Sequence, residues 1–148
     1  MKKFLKGACI GVVIFFTSNV HVSAQTDRPY TDGPIWQVQF VNMKPGMTEL
    51  YLKNLSEGWV KQMRAAKDAG LILDFKVFEA PNASDNDWNL MLMYELKNYA
   101  ALDGMREKMT ALSNKIFGNE ETQHTQAVSR NDLRTLMGGR LTQELDFK

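Results

Sequence analysis

The spacing of apolar residues in this 148-residue chain changes in a fixed order, and that order limits the folds open to it. From Ile35 to Met43 (IWQVQFVNM) the residues alternate, with Trp36, Val38 and Phe40 on one face and Gln37 and Gln39 on the other. A period of two predicts a strand. Lys44-Pro45-Gly46 closes it, and Pro45 suits the approach to a helix. From about Met47 to Ala69 the period becomes helical: Leu52, Leu55, Trp59, Met63 and Ala66 share a stripe, while Lys53, Glu57, Lys61, Arg64 and Asp68 lie opposite. Gly70 sits where a left-handed C′ glycine stops a helix. Gly58, inside the same run, costs ~1 kcal/mol relative to alanine and marks a close contact.

Two further strands follow, Leu71 to Glu79 and Trp88 to Leu96, joined by a polar loop too short for a crossover helix. They are predicted to form an antiparallel hairpin. Asn98 is a suitable N-cap for a second helix with the stripe Leu102, Met105, Met109, Leu112 and Ile116, ended by Gly118. The stretch NEETQHTQ reads as a polar connection. A short helix to about Met137 is expected next, with Leu133 and Leu136 buried. Gly138-Gly139 then breaks the chain before a last strand, Arg140 to Phe147. This order predicts an α+β domain over residues 35–148. It is a ferredoxin-like β-α-β-β-α-β unit with an antiparallel sheet and an extra short helix before the last strand.

The alternation also sorts the sheet into two faces. Trp36, Val38, Phe40, Leu71, Leu73, Phe75, Val77, Trp88, Leu90, Leu92, Tyr94, Leu96, Leu141, Leu145 and Phe147 form the more apolar set, assigned to the helices. The opposite face then holds Gln37, Gln39, Val41, Ile72, Asp74, Lys76, Phe78, Asn89, Met91, Met93, Glu95, Thr142 and Glu144. That mixture is too apolar for a simply solvated face and suits a recognition surface. Its simplest partner is a second copy, packed sheet to sheet about a two-fold axis. Gln37, Gln39, Val41, Met91 and Met93 are the interface candidates; a monomer with scattered exposed apolar residues is the alternative.

Four segments carry a family resemblance: Lys44-Pro45-Gly46 after the first strand, Gly70-Leu71-Ile72-Leu73 before the second, Trp88-Asn89-Leu90-Met91-Leu92-Met93 in the third, and Lys97-Asn98-Tyr99-Ala100. From about Trp36 to Phe147 the chain resembles the dimeric α/β-barrel superfamily, which includes antibiotic-biosynthesis monooxygenases, haem-degrading enzymes and stress-response barrel proteins. It is most similar to small exported members of unknown function. The resemblance implies a dimeric barrel and, in some members, a ligand cavity between helices and sheet. None of the four segments is a catalytic signature.

The first 24 residues read as a cleavable signal peptide. Lys2, Lys3 and Lys6 precede an apolar run from Gly7 to Phe16, and Val22-Ser23-Ala24 is a small-residue cleavage pattern. The run falls short of the ~20 residues that span a bilayer, so an uncleaved anchor is the poorer reading. Export to the periplasm or medium is expected, with an exposed lead-in over residues 25–34. Cleavage near Ala24 removes Cys9, the one cysteine, and His21, leaving His124 as the one histidine. Removing three lysines from 18 basic residues leaves 15 against 17 acidic, a formal net charge of −2. Such a domain has no electrostatic footprint for nucleic acid.

These counts narrow the chemistry. His124, in a polar stretch, reads as solvent-facing rather than as a base or haem ligand, and one histidine without cysteine makes a poor zinc site. Asp85-Asn86-Asp87 lacks the glycine and later glutamate of a calcium loop. No metal or cofactor is expected. Asn54-Leu55-Ser56 and Asn82-Ala83-Ser84 are formal glycosylation sequons. Asp74, Lys76 and Glu95 share one sheet face, as an interfacial ion-pair network or as polar groups in a pocket. Trp36, Tyr51, Trp59, Trp88 and Tyr94 could line an aromatic cavity or simply fill the core. Three functions remain open: an exported homodimer binding a small hydrophobic or aromatic molecule, a cofactor-independent oxygenase acting on an aromatic substrate, and a structural or interaction module without a pocket.

Overall fold

The computed structural model describes residues 28–80, 84 and 87–148. The expected signal peptide, residues 25–27 of the lead-in, residues 81–83 and the Asp85-Asn86 pair lie outside the described residues. Four strands and four α-helices follow in order: β1 (Tyr30–Met43), α1 (Thr48–Leu55), α2 (Lys61–Asp68), β2 (Asp74–Glu79), β3 (Leu90–Leu96), α3 (Met105–Phe117), α4 (Glu120–Arg130) and β4 (Arg134–Phe147). The sheet order is β2-β3-β1-β4, every neighbour antiparallel. Two interleaved β-α-β units thus place β1 and β3 at the centre, which is the ferredoxin-like fold.

The first helical run is continuous from α1 to α2 but widens into a π-helical turn at Ser56–Val60, around Gly58. In the second, Asn98 caps a 3₁₀ turn, Tyr99–Leu102, by accepting the Ala101 N–H. Gly104 at φ +65° lets the chain restart as α3. Two buried clusters join helices to sheet. Ile35, Leu96 and Ile72 meet Met63, Ala66 and Met105, while Val41, Met43, Leu90 and Leu92 meet Tyr51 and Leu55.

These clusters reverse the expected orientation of β1. Ile35, Val41 and Met43 point toward the helices, so the register carries Gln37 and Gln39 to the same side, opposite Tyr94 and Leu92. Trp36, Val38 and Phe40 lie on the open face instead. The grouping of β2 with β3 is as expected, with Phe75 opposite Tyr94 and Val77 opposite Leu92. The more apolar set of β1 is not its core set, because both faces of this sheet are rich in apolar residues. Register is weakly specified by hydrophobicity under that condition.

Other positions move with the element boundaries. Ile72 precedes β2 and is buried against Ile35 on the helix side, whereas Leu73 is half exposed. Trp88 packs on Phe40, ring centroids 5.4 Å apart, on the open side. Leu141 shares the helix side with Gln37 but stays exposed on an edge strand, as do Leu145 and Phe147. β1 begins at Tyr30, so part of the lead-in pairs with the end of β4, Tyr30 opposite Phe147.

The stretch read as a polar connection is α4, capped by the Asn119 side chain, which accepts the Thr122 N–H at 3.0 Å. The extra helix expected before the last strand is thus present, but it starts earlier and ends at Arg130; the chain from Arg134 to Met137 opens β4, and Leu136 is exposed. Gly138-Gly139 does not end an element. β4 bulges there, with Gly138 at φ +105°, and a Cβ on Gly139 would stand 2.7 Å from the Val38 carbonyl oxygen. Glycine is what allows β4 to approach β1 this closely.

Candidate functional site

Gln37 and Gln39 do not pack into the core as an apolar pair would. They border space left between the sheet and the helices. One cavity of about 140 Å³ lies among Gln39 on β1, Tyr51, Asn54, Trp59 and Gln62 on the first helical run, Ser113 and Phe117 on α3, Gln123 and Arg130 on α4, and Arg134 at the start of β4. A second chamber of about 310 Å³ shares Gln39 and Trp59 and is walled by Gln37, Tyr94 and Leu92. The π-helical turn brings Gly58 and Trp59 to the first cavity; such turns recur at functional sites because they re-aim side chains off the α-helical stripe.

The cavity wall is apolar at one end and polar at the other. Trp59, Phe117 and Leu55 supply the apolar surface. The Arg134 guanidinium donates to the Tyr51 hydroxyl at 2.8 Å and stands 5.4 Å from the centre of its ring. Burial raises the Tyr51 hydroxyl above its usual range, against the opposing pull of Arg134. Arg130 is lowered, first by burial and then by the repulsion of Arg134. Neither arginine ion-pairs with a carboxylate among the described residues, where the ion pairs are Arg28–Asp32 and Lys67–Asp74. Two polar atoms in the cavity wall are buried without a hydrogen-bond partner: Arg134 Nε, a donor, and Asn54 Oδ1, an acceptor.

Of the five aromatic candidates, Tyr51 and Trp59 line the first cavity, and Trp59 and Tyr94 the second. Trp36 and Trp88 belong to the open face. The sequence reading missed Arg130, Arg134, Asn54, Gln62, Gln123 and Gln126. One signal was present: Gln123, Gln126 and Arg130 recur at helical spacing, a stripe that is polar because it faces a polar cavity.

The open face carries the polar trio as expected, since Asp74 pairs with Glu95 and Lys76 with Met93. Asp74 accepts from Lys67 Nζ at 2.7 Å, a bond that lowers its carboxyl below the usual range. Lys76 Nζ lies 4.9 Å from the centre of the Trp36 ring, whose indole N–H donates to Glu144 at 3.0 Å. Burial raises Glu95, and the charges of Glu144 and Asp74 add to it. Of the interface candidates, Met91 and Met93 lie here. Gln37, Gln39 and Val41 do not, because β1 is turned over, and Trp36, Val38 and Phe40 take their place.

His124 is exposed on α4, not in a loop, and does not border the cavity. No group of three or more histidine, cysteine or acidic side chains that could hold a metal ion occurs among the described residues.

No protein-family model matches the chain, and no curated protein matches it. Solved structures do. A dimeric ferredoxin-like protein from an uncultured marine organism is 12% identical over 78% of this chain and 90% of that one, with a TM-score of 0.47. A dimeric ferredoxin-like protein of unknown function from Thermobifida fusca YX is 8% identical over 78% and 92%, with a TM-score of 0.41. A further one from an uncultured marine organism is 15% identical over 80% and 95%, with a TM-score of 0.38. In class, this chain is a ferredoxin-like α+β domain, on the strength of its own strand order.

Proposed function

We propose that this chain is an exported, homodimeric binder of a small organic molecule held between helices and sheet. The observation that carries the reading is the pair Gln37 and Gln39 at helix-facing positions of the central strand, Gln39 bordering both chambers and Gln37 the second. Both side chains are part-buried, and polar groups on the helix-facing side of a central strand are informative exceptions to its pattern. An apolar residue would fill these positions more favourably, so glutamine there argues for a ligand with polar atoms. Concave space with an aromatic wall and a few converging polar groups is the usual form of a small-molecule site.

The dimer rests on the open face. Phe40, Met91, Met93 and Phe78 run across three strands of it without being fully buried, while Val38 among them is already covered and both buried clusters lie on the other side. Phe78 is 46% exposed. A second copy with its own open face would cover this strip and form a barrel from two sheets. Export rests on the charged and apolar pattern before Ala24.

Native mass spectrometry of protein purified from its own compartment tests the three parts together. The expected result is a mass of two chains, each beginning at Gln25, with a non-covalent small molecule retained. A monomer, an uncleaved start or a bare polypeptide mass would each remove the corresponding part.

A further inference from the structure

Building on the ligand-binding reading, we infer that the molecule is an anion, and that Arg130 and Arg134 read a carboxylate on a body no larger than about one six-membered ring. Two guanidinium groups border the same cavity, and no carboxylate pairs with either among the described residues. Glu57 borders the outer groove beside Arg130 but makes no ion pair with it. Holding two like charges together away from water is unfavourable unless an opposite charge completes the set. A carboxylate matches the planar fork of an arginine better than a compact cation would.

The neutral partners fit the same assignment. Arg134 donates from Nη1 to Tyr51, which fixes its guanidinium at the cavity. Gly58 contributes by having no side chain: a Cβ there would meet Arg130 Nη1 at 3.9 Å and nothing else. The widened turn therefore leaves room beside the guanidinium. A cavity of about 140 Å³ compares with the ~150 Å³ that accommodates benzene in a protein interior, which sets the size of the body. Trp59 and Phe117 give that body a flat apolar wall.

Calorimetric titration of the purified protein with benzoate, benzamide and inorganic phosphate tests the inference. Benzoate and benzamide share a ring and differ in charge, while phosphate carries charge without a ring. Benzoate is expected to bind at least about tenfold tighter than either. Arg134→Gln and Arg130→Gln should each erase that preference, and Arg130→Lys should restore part of it. Arg130 makes no contact comparable to the Tyr51 bond, so its variants report even if Arg134→Gln does not fold. Equal binding of benzamide would overturn the anion assignment and leave the ligand-binding reading standing. Tighter binding of phosphate would overturn the carboxylate. Absence of binding by all three would remove the cavity as a ligand site, and this inference with it.

Discussion

Tyr51 shows how closely stability and site are joined in this molecule. It is fully buried in the cluster with Val41 and Leu90, and its hydroxyl holds Arg134 over the cavity. Tyr51→Phe keeps the packing but removes the acceptor from a half-buried guanidinium. It should cost about 1–3 kcal/mol in a urea titration. Gly139→Ala places a methyl against the Val38 carbonyl oxygen, and β4 must shift away to admit it. A loss of about 1–3 kcal/mol is expected by the same measurement. At this scale the sequence showed the aromatic residues and not the arginines. Tyr51 and Trp59 stand on an apolar stripe, where pattern draws attention to them. Arg130 and Arg134 carry no pattern that singles them out, because only the fold brings the end of α4 and the start of β4 to the same cavity.

Elements were legible where one face is apolar and the other charged. The helical run from Met47, the β2–β3 hairpin and α3 meet that condition. α4 does not: its inward residues are glutamine and arginine, so its amphipathic contrast is lost and it passes for a connection. The capping residue was the better signal. Asn119→Ala should cost about 1 kcal/mol of stability. Because α4 carries Gln123 and Arg130, the variant should also weaken ligand retention, read by native mass spectrometry. β1 misled for the opposite reason. Its open-face set, Trp36, Val38 and Phe40, is as apolar as any core strand, while its helix-facing set is interrupted by Gln37 and Gln39. The same glutamines that hid the register of β1 border the second chamber, and Gln39 borders the first as well.

For the whole molecule, the proposed dimer rests on the open face. Met91→Asp or Phe78→Asp should convert the dimer to a monomer in light scattering, with the fold retained by circular dichroism; an unchanged dimer would put the interface elsewhere. Glu95 adds a dependence on pH. Burial, then Glu144 and Asp74, hold its carboxyl above the usual range, with Lys76 and Lys67 opposing. A raised acid binds its proton more tightly in the folded state. The stability it forfeits by ionising is therefore absent below the ordinary carboxylate range and grows as pH rises through that range to the raised value. Docking a second sheet removes more water from Glu95, so the dimer should tighten as pH falls from neutral toward mildly acidic conditions. Sedimentation equilibrium should show this, and Glu95→Gln should flatten the response.

The overall order of strands and helices was readable because it depends on period alone; the space between sheet and helices was not, because it depends on which way β1 is turned. Gln39→Leu tests that point most directly, measured for denaturation midpoint and small-molecule retention on one preparation. With Gln39 facing the helices, leucine fills polar space with apolar surface, so the midpoint should rise while retention is lost. A variant with a lower or unchanged midpoint that still retains the molecule would contradict the account.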